Sequence, residues 1–262
     1  MTESYIIAGG VAGAARLSVL SQAMAEATGA LLDLMDIPPQ ARILDAGCGG
    51  GDVTRHLATR TTGAVIGLDL DEVKISMAGQ DAPANAAFHV GGFERAEDLG
   101  PFDVIYARFL LSHLTDPAAA VATFLRALVP GGLLVVEDVE FSAHLCEPSR
   151  LSFRHYVQWY VGSAHRRGAD PEIGPKLPGL LGRGGFRNVD ARLVQPAGLT
   201  GPVKAMAALT LAGIAEAVEM MGVSRETLID DISDLVRARD DPTVFMSLPR
   251  VTQAWGWKPG DG

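Results

Sequence analysis

The 262-residue chain has only two cysteines, Cys48 and Cys146, which gives neither zinc-ligand spacing nor a disulfide framework. Such usage fits a reducing compartment. No apolar run reaches the ~18 residues that suggest a bilayer span, and the amino terminus opens with Glu3 rather than the basic stretch of a secretion signal. The expectation is a soluble, cytoplasmic protein without a membrane partner. Positive charge is also scarce: 22 Lys and Arg against 31 Asp and Glu leave a formal net charge of −9. With no basic cluster or basic helix, a nucleic-acid partner is excluded. No linker, low-complexity run or internal repeat divides the chain, and 48% hydrophobic residues suffice for one packed interior.

What the chain does have is a glycine-rich turn behind a hydrophobic strand, LDAGCGGGD at residues 44–52. Asp45 stands two residues ahead of Gly47, and Gly49 and Gly51 follow at alternate positions. Glycine lets backbone approach a ligand closely, and a helix starting there turns free N–H groups and its positive dipole end toward that ligand. Asp52 and Thr54 are candidates to cap this helix. A dinucleotide fingerprint carries glycines at its first, third and sixth places, but the sixth place counted from Gly47 is Asp52, which argues against NAD. Downstream, AVIGLDLDEVKI reads as a buried strand ending at Asp69. At the end of the second strand of a doubly wound sheet a carboxylate can accept both hydrogen bonds of a ribose diol. Capping the next helix is the plainer role for Asp69, and the one that suits Asp71. Further on, FDVIYARFLLSHLTDP leads through a helix to LVPGGLLVVEDVEF, where Pro130, Gly131 and Gly132 end the helix and restart the chain as a strand.

These three features, in this order over residues 42–141, resemble the class I S-adenosylmethionine-dependent methyltransferases. The termini, YIIAGGVAGAARL and VTQAWGWKP, look like those of the bacterial UbiE-like small-molecule subgroup. The resemblance implies an enzyme whose cofactor is S-adenosylmethionine. Gly47, Cys48, Gly49 and Gly51 would pass beneath its methionine portion, Asp45 would accept from its ammonium, Asp69 would hold the ribose and Leu70 would cover one adenine face. The acid that the family often carries near Gly92 is missing; Glu94 is its substitute, and Phe93 offers apolar contact and a backbone N–H. Arg16 would reach the methionine carboxylate, or else be a solvated surface arginine, and Tyr5 would close over the same end. The Ala107 carbonyl would accept from the ammonium, leaving the Arg108 side chain for an ion pair or an anionic substrate.

Alternating strand and helix signals predict an α/β fold with a doubly wound, mostly parallel seven-stranded sheet, the Rossmann-like architecture of this family. Strands are expected near 42–46, 64–69, 87–91, 102–107, 132–138 and 186–195, with a seventh within 243–257. Residues 1–40 would form N-terminal cap helices, carrying Leu17, Leu20, Met24, Leu31 and Leu34 at helical spacing before IPP breaks the pattern. Residues 41–200 and 243–262 would form the core of a single domain. Residues 201–242 are read as an inserted helical cap over the carboxyl edge of the sheet, because Leu211, Ile214, Val218 and Met221 share one helical face that needs covering.

Methyl transfer asks mainly for in-line positioning without water, with a base where the acceptor is a hydroxyl. His113 and His144 are the candidate bases. His113 could equally cap a helix or bond a backbone carbonyl, and His144 could simply neutralise Glu137, Asp138 and Glu140 nearby. A metal is not expected, since Glu137 and Asp138 would point to opposite faces of a strand. Phe153, Tyr156, Tyr160, Met206, Met220 and Met221 would suit a planar, partly apolar small-molecule substrate or serve as ordinary core. O-methylation is favoured over N- or C-methylation, and a homodimer is possible. The alternatives are the same cofactor used for another reaction, and a binding or regulatory protein with a degenerate site.

Overall fold

A computed structural model of the chain describes residues 10–260. One helix, α1 (Gly10–Leu34), precedes β1 (Ile43–Ala46), α2 (Asp52–Ala58), β2 (Val65–Asp69), α3 (Glu72–Gln80), β3 (Ala86–Val90), β4 (Phe102–Arg108), α4 (Pro117–Ala127) and β5 (Leu128–Glu140). There follow α5 (Leu151–Arg166), α6 (Leu177–Arg183), β6 (Arg187–Val194), α7 (Pro202–Gly213), α8 (Ala215–Glu219), α9 (Arg225–Asp240) and β7 (Arg250–Trp257). The sheet order is β3-β2-β1-β4-β5-β7-β6. All neighbours pair in parallel except β7, which runs antiparallel to both β5 and β6. Every residue of β1 and β2 is buried, as strands covered by helices on both faces require.

The doubly wound sheet therefore has the expected strands, with one local difference. Leu128 already pairs with Phe102, so β5 begins before the Pro130–Gly132 turn rather than after it, and the register shifts between Phe102 and Val104 to absorb the turn. That turn is paired rather than free: Gly131 N–H donates to the Lys258 carbonyl at 3.1 Å, and Lys258 N–H donates to the Gly132 carbonyl at 2.8 Å. The seventh strand, Arg250–Trp257, lies within 243–257 as expected. Phe245–Ser247 joins Cys146–Glu147 and Ala197–Gly198 in a separate three-stranded sheet, and Pro249, which cannot donate to a ladder, separates it from β7. Leu34 is 55% exposed, its place in the core taken by Leu32 and Met35.

Apolar packing sorts α1 into two halves. Leu31, Leu32 and Met35 join a cluster under β1 with Leu57 and Val104. Leu20 and Met24 join a second cluster with Tyr156, Trp159 and Tyr160 of α5, Met206 and Leu211 of α7, and Leu235 of α9. The inserted helices thus pack with α1 and α5, and Val139 and Val251 carry this cluster to the end of the sheet. Between the halves, Thr28 Oγ1 donates to the buried Glu137 carboxylate at 2.9 Å, which fixes where α1 crosses the strand ends.

Candidate active site

Two adjoining cavities open beyond the carboxyl ends of β1, β2, β4 and β5, where ligands bind in open α/β sheets. The first is walled by the glycine turn with Asp45, Asp69, Lys74, Arg108 and the α1 residues Arg16 and Leu17, and holds about 820 Å³ of empty space counting its open mouth. The second is lined by Phe141, His144, Tyr156, Tyr160 and Met206 among others, with about 500 Å³. Arg16, Leu20, Phe109 and His113 belong to both walls, so the cavities meet there.

The glycine turn is built as its sequence requires. Gly47, Gly49 and Gly51 have φ of 75°, 53° and 80°, values that side-chain-bearing residues adopt only at a cost. Space demands glycine too. A Cβ on Gly49 would lie 2.7 Å from Leu17 Cδ1 on α1, and one on Gly51 would lie 2.7 Å from the Phe88 ring. Gly51 faces β3 and is not part of the cavity wall, whereas Gly47, Cys48, Gly49 and Gly50 are. Gly51 is also the N-cap of α2. Asp52 and Thr54 therefore do not cap it: Asp52 pairs with Arg55 at 3.2 Å, and the Thr54 hydroxyl donates to Asp45 Oδ2 at 2.6 Å.

Both predicted carboxylates stand in the wall of the first cavity and are buried. Burial pushes the Asp45 carboxyl up to about 6, against the pull of the Thr54 hydrogen bond and the Arg108 charge. Burial likewise pushes the Cys48 thiol well up, with Asp45 and Asp69 adding to the effect. Asp69 ties two segments together, accepting from Gly49 N–H at 2.9 Å through Oδ2 and from Asp71 N–H at 2.9 Å through Oδ1. Asp71, as expected, caps α3, accepting from the N–H groups of Val73 and Lys74 at 3.1 Å each.

The other predicted residues divide. Tyr5 lies outside the described residues. Leu70, Gly92, Phe93, Glu94 and Ala107 are absent from the first cavity's wall. Leu70 is 44% exposed beyond the end of β2; a Cβ on Gly92 would lie 2.2 Å from Glu94 Oε2 and 3.6 Å from Leu70 Cδ2, so these three form a separate, open edge. The Phe93 ring turns away from it to pack edge-on against Phe124, centroids 6.3 Å apart. Ala107 is buried between Ala46 and Val136 in the sheet. Arg108 makes no ion pair among the described residues; its guanidinium donates to the α1 hydroxyls of Thr28 at 3.2 Å and Ser21 at 3.3 Å. Arg16 is not a solvated arginine: its Nη1 donates to Thr210 Oγ1 of α7 at 3.3 Å, and its Nε is buried without a partner.

His113 and His144 are separated by role. His113 stands where the cavities meet, and burial, with Arg16 and Lys74 nearby, pushes its imidazole down to about 4. His144 lies only in the second cavity and pairs with none of the acids it was expected to neutralise. Glu137 instead accepts from Thr28, Tyr106 and Gln253, Asp138 from the N–H groups of Ser112 and Val139, and Glu140 pairs with Arg250 at 2.9 Å. His144 sits among the rings of Phe141, Phe153 and Tyr156 at 4.6, 5.8 and 5.4 Å, and burial pushes it down to about 4. Its Nδ1 lies 2.6 Å from the Phe141 carbonyl, which can only accept, so Nδ1 carries the proton and the Nε2 lone pair faces Tyr156 Oη at 3.4 Å.

Sequence reasoning missed Phe109, Thr210 and Lys74. Phe109 is a non-glycine residue at φ 54°, a conformation costing ~1–3 kcal/mol and favoured at functional sites. No sequence signal marks it. Thr210 lies far beyond the motifs in the sequence and meets Arg16 only through packing, across a separation of 194 residues.

Comparison with known proteins agrees with this architecture. A family model described as "Methyltransferase domain" matches residues 19–189. The ubiquinone biosynthesis O-methyltransferase of Caulobacter sp. (strain K31) is 28% identical over 130 residues, 47% of this chain and 51% of that protein. Phosphoethanolamine N-methyltransferase 3 of Arabidopsis thaliana is 32% identical over 117 residues, 43% of this chain and 24% of that protein. The chain thus matches about half or less of the length of these relatives. Among solved structures, Haemonchus contortus phosphoethanolamine N-methyltransferase 2 superposes with a TM-score of 0.54 at 18% identity, covering 93% of this chain and 52% of the other, a likeness of fold. With the family model spanning well over half of the sequence and the sheet order and glycine turn in place, the chain belongs to the methyltransferase-domain family, class I enzymes whose cofactor is S-adenosylmethionine.

Proposed function

We propose that the protein transfers a methyl group from S-adenosylmethionine to a small organic acceptor, with oxygen favoured as the methylated atom. The observation that carries this reading is the meeting of the two cavities, one polar and built on the glycine turn, the other aromatic, at Arg16, Leu20, Phe109 and His113. The first cavity fits the cofactor chemically. Its turn is bare of side chains where a Cβ would collide with Leu17, and its wall offers the buried carboxylates of Asp45 and Asp69 to a ligand bearing an ammonium and a ribose diol. When bound, the cofactor supplies an electrophilic methyl on a sulfonium that is already a good leaving group.

The chain's part is to bind, orient and exclude water. In this reading Asp45 takes the ammonium, Asp69 the ribose, and the turn from Gly47 to Gly50 lies under the methionine portion. Leu70 and Glu94 border the adenine at the open edge, with Gly92 and the Phe93 backbone between them. Thr54 holds Asp45, and Gly49 and Asp71 hold Asp69, each through a bond already made, so both groups are oriented beforehand. The second cavity receives the acceptor between α5, α7 and the chain after β5. His113, neutral where the cavities meet, takes the acceptor proton, and His144 with Tyr156 positions the ring from the far wall. The oxygen preference is supported by these neutral imidazoles beside an aromatic wall.

The test is incubation with S-adenosylmethionine and a panel of phenolic, carboxylic and amine acceptors. Release of S-adenosylhomocysteine matched by a product 14 mass units heavier supports methyl transfer, and the substituted atom decides the preference. Cofactor binding without either product contradicts it.

A further inference from the structure

Among the described residues Arg16 is a cation without an anion. Its guanidinium is partly buried, makes no ion pair among the described residues, and gives one hydrogen bond, to the neutral Thr210 hydroxyl at 3.3 Å. Its Nε is buried and unpartnered. Burial pulls its proton affinity down, with only the phenols of Tyr160 and Tyr156 acting the other way. Leaving a guanidinium in such a place is costly unless something negative arrives to pair with it. Direction decides which cavity that something occupies. Thr210, Tyr156 and Tyr160 all line the second cavity and none lines the first, so the charged head faces the aromatic side although the α1 backbone passes over both. No Asp or Glu stands among the described residues lining the second cavity. Burial keeps its two histidines neutral, which leaves Arg16 as the one full charge on that wall.

From this we infer that the acceptor is an anion: a ring-bearing or otherwise apolar molecule whose negatively charged oxygen pairs with Arg16 while its body lies against Phe141, Tyr156, Tyr160 and Met206. Stacked Phe141 and Tyr160, 3.6 Å between centroids and 10° apart, give the flat surface such a body covers. The planar fork of Arg16 suits a carboxylate, which it can hold through two parallel bonds. The pairing also places the acceptor, since the guanidinium sits where the two cavities join. The inference rests on the cofactor reading above and adds the charge class of the acceptor. The methionine carboxylate of the cofactor is the other anion within reach of α1, and the test separates the two.

The probes are benzoate and benzamide, close in shape and different in charge, titrated into protein saturated with S-adenosylhomocysteine. Benzoate should bind at least about tenfold more tightly, the scale of one charged hydrogen-bonded contact. In Arg16→Gln that preference should fall below about twofold with affinity for S-adenosylhomocysteine little changed, and Arg16→Lys should keep part of it. Equal binding of the two probes by the wild type overturns the inference, as does a preference that survives Arg16→Gln. Loss of S-adenosylhomocysteine affinity in Arg16→Gln, with the benzoate preference intact, assigns the guanidinium to the cofactor instead. If the wild type does not bind S-adenosylhomocysteine at all, the cofactor reading falls and takes this inference with it.

Discussion

The two cavities share four wall residues but are made in opposite ways. The first is local and polar: Asp45, the glycine turn, Thr54 and Asp69 fall within 25 residues of sequence and are joined by short bonds between a side chain and its near neighbours. The second is assembled from a distance, with Arg16 from α1, Phe141 and His144 from the chain after β5, Tyr156 and Tyr160 from α5, and Met206 and Thr210 from α7. A cavity of the first kind serves a ligand that does not vary, because backbone fixes its shape. One of the second kind can change its ligand by exchanging side chains while the sheet stays as it is.

If that contrast holds, substitutions in the first cavity will disturb fold and cofactor affinity, while those in the second will disturb the acceptor. The largest effect is expected at Gly51, which lies outside the wall and backs the turn from the β3 side. An alanine there meets Phe88 at 2.7 Å in a left-handed backbone, so Gly51→Ala should lower stability by about 2–4 kcal/mol in urea denaturation. A change below about 0.5 kcal/mol would show the turn to be more pliant than its geometry. Next, Asp69→Ala removes a carboxylate holding two backbone N–H groups and facing the cavity, and should weaken S-adenosylhomocysteine binding by about 1–3 kcal/mol.

Protonation sharpens the same comparison, because Asp45 in the first cavity and His144 in the second respond to pH with opposite sign. Asp45 has its folded value raised from 3.8 to about 6. Between those values the folded chain binds the proton that the unfolded chain has lost, so this group lowers stability as pH rises from about 4 to 6. His144 has its folded value depressed from 6.5 to about 4; there the unfolded chain holds the extra proton, and stability rises with pH over the same window. Asp45→Asn should therefore make the stability curve between pH 4 and 6.5 climb more steeply, and His144→Gln should make it fall, each by about 3 kcal/mol across the window. Parallel curves for the two variants would break the distinction. Smallest is Tyr156→Phe, which removes the hydroxyl facing His144 Nε2. It should slow turnover a few-fold, about 0.5–1.5 kcal/mol, and leave S-adenosylhomocysteine affinity unchanged.

The contrast also explains what the sequence could show. The place of Asp45, Gly47, Gly49 and Asp69 in the first cavity's wall was legible because it follows from spacing along one strand–turn–helix unit and its neighbour. The inner strands β1, β2, β4 and β5 were legible because burial on both faces writes continuous apolar runs. Thr54 was legible as a polar residue of that unit but not as the partner of Asp45, since Gly51 took the cap position expected of Asp52 and Thr54. Arg16 was visible as an oddity in an apolar helix, yet its partner, Thr210, depends on how α7 packs against α1. His144 was assigned to nearby acids by sequence distance, but alternation along β5 sends Glu137 and Asp138 to opposite faces, each with its own partners, while Glu140 pairs with Arg250. Side chains brought together by packing leave no spacing to read.

The central claim is that the first cavity binds S-adenosylmethionine through Asp45, Asp69 and the glycine turn. Isothermal titration of the wild-type protein, freed of any co-purified ligand, with S-adenosylmethionine and S-adenosylhomocysteine tests it most directly. Micromolar or tighter binding of both, weakened in Asp69→Ala, is the predicted result; a folded wild-type protein that binds neither would contradict it.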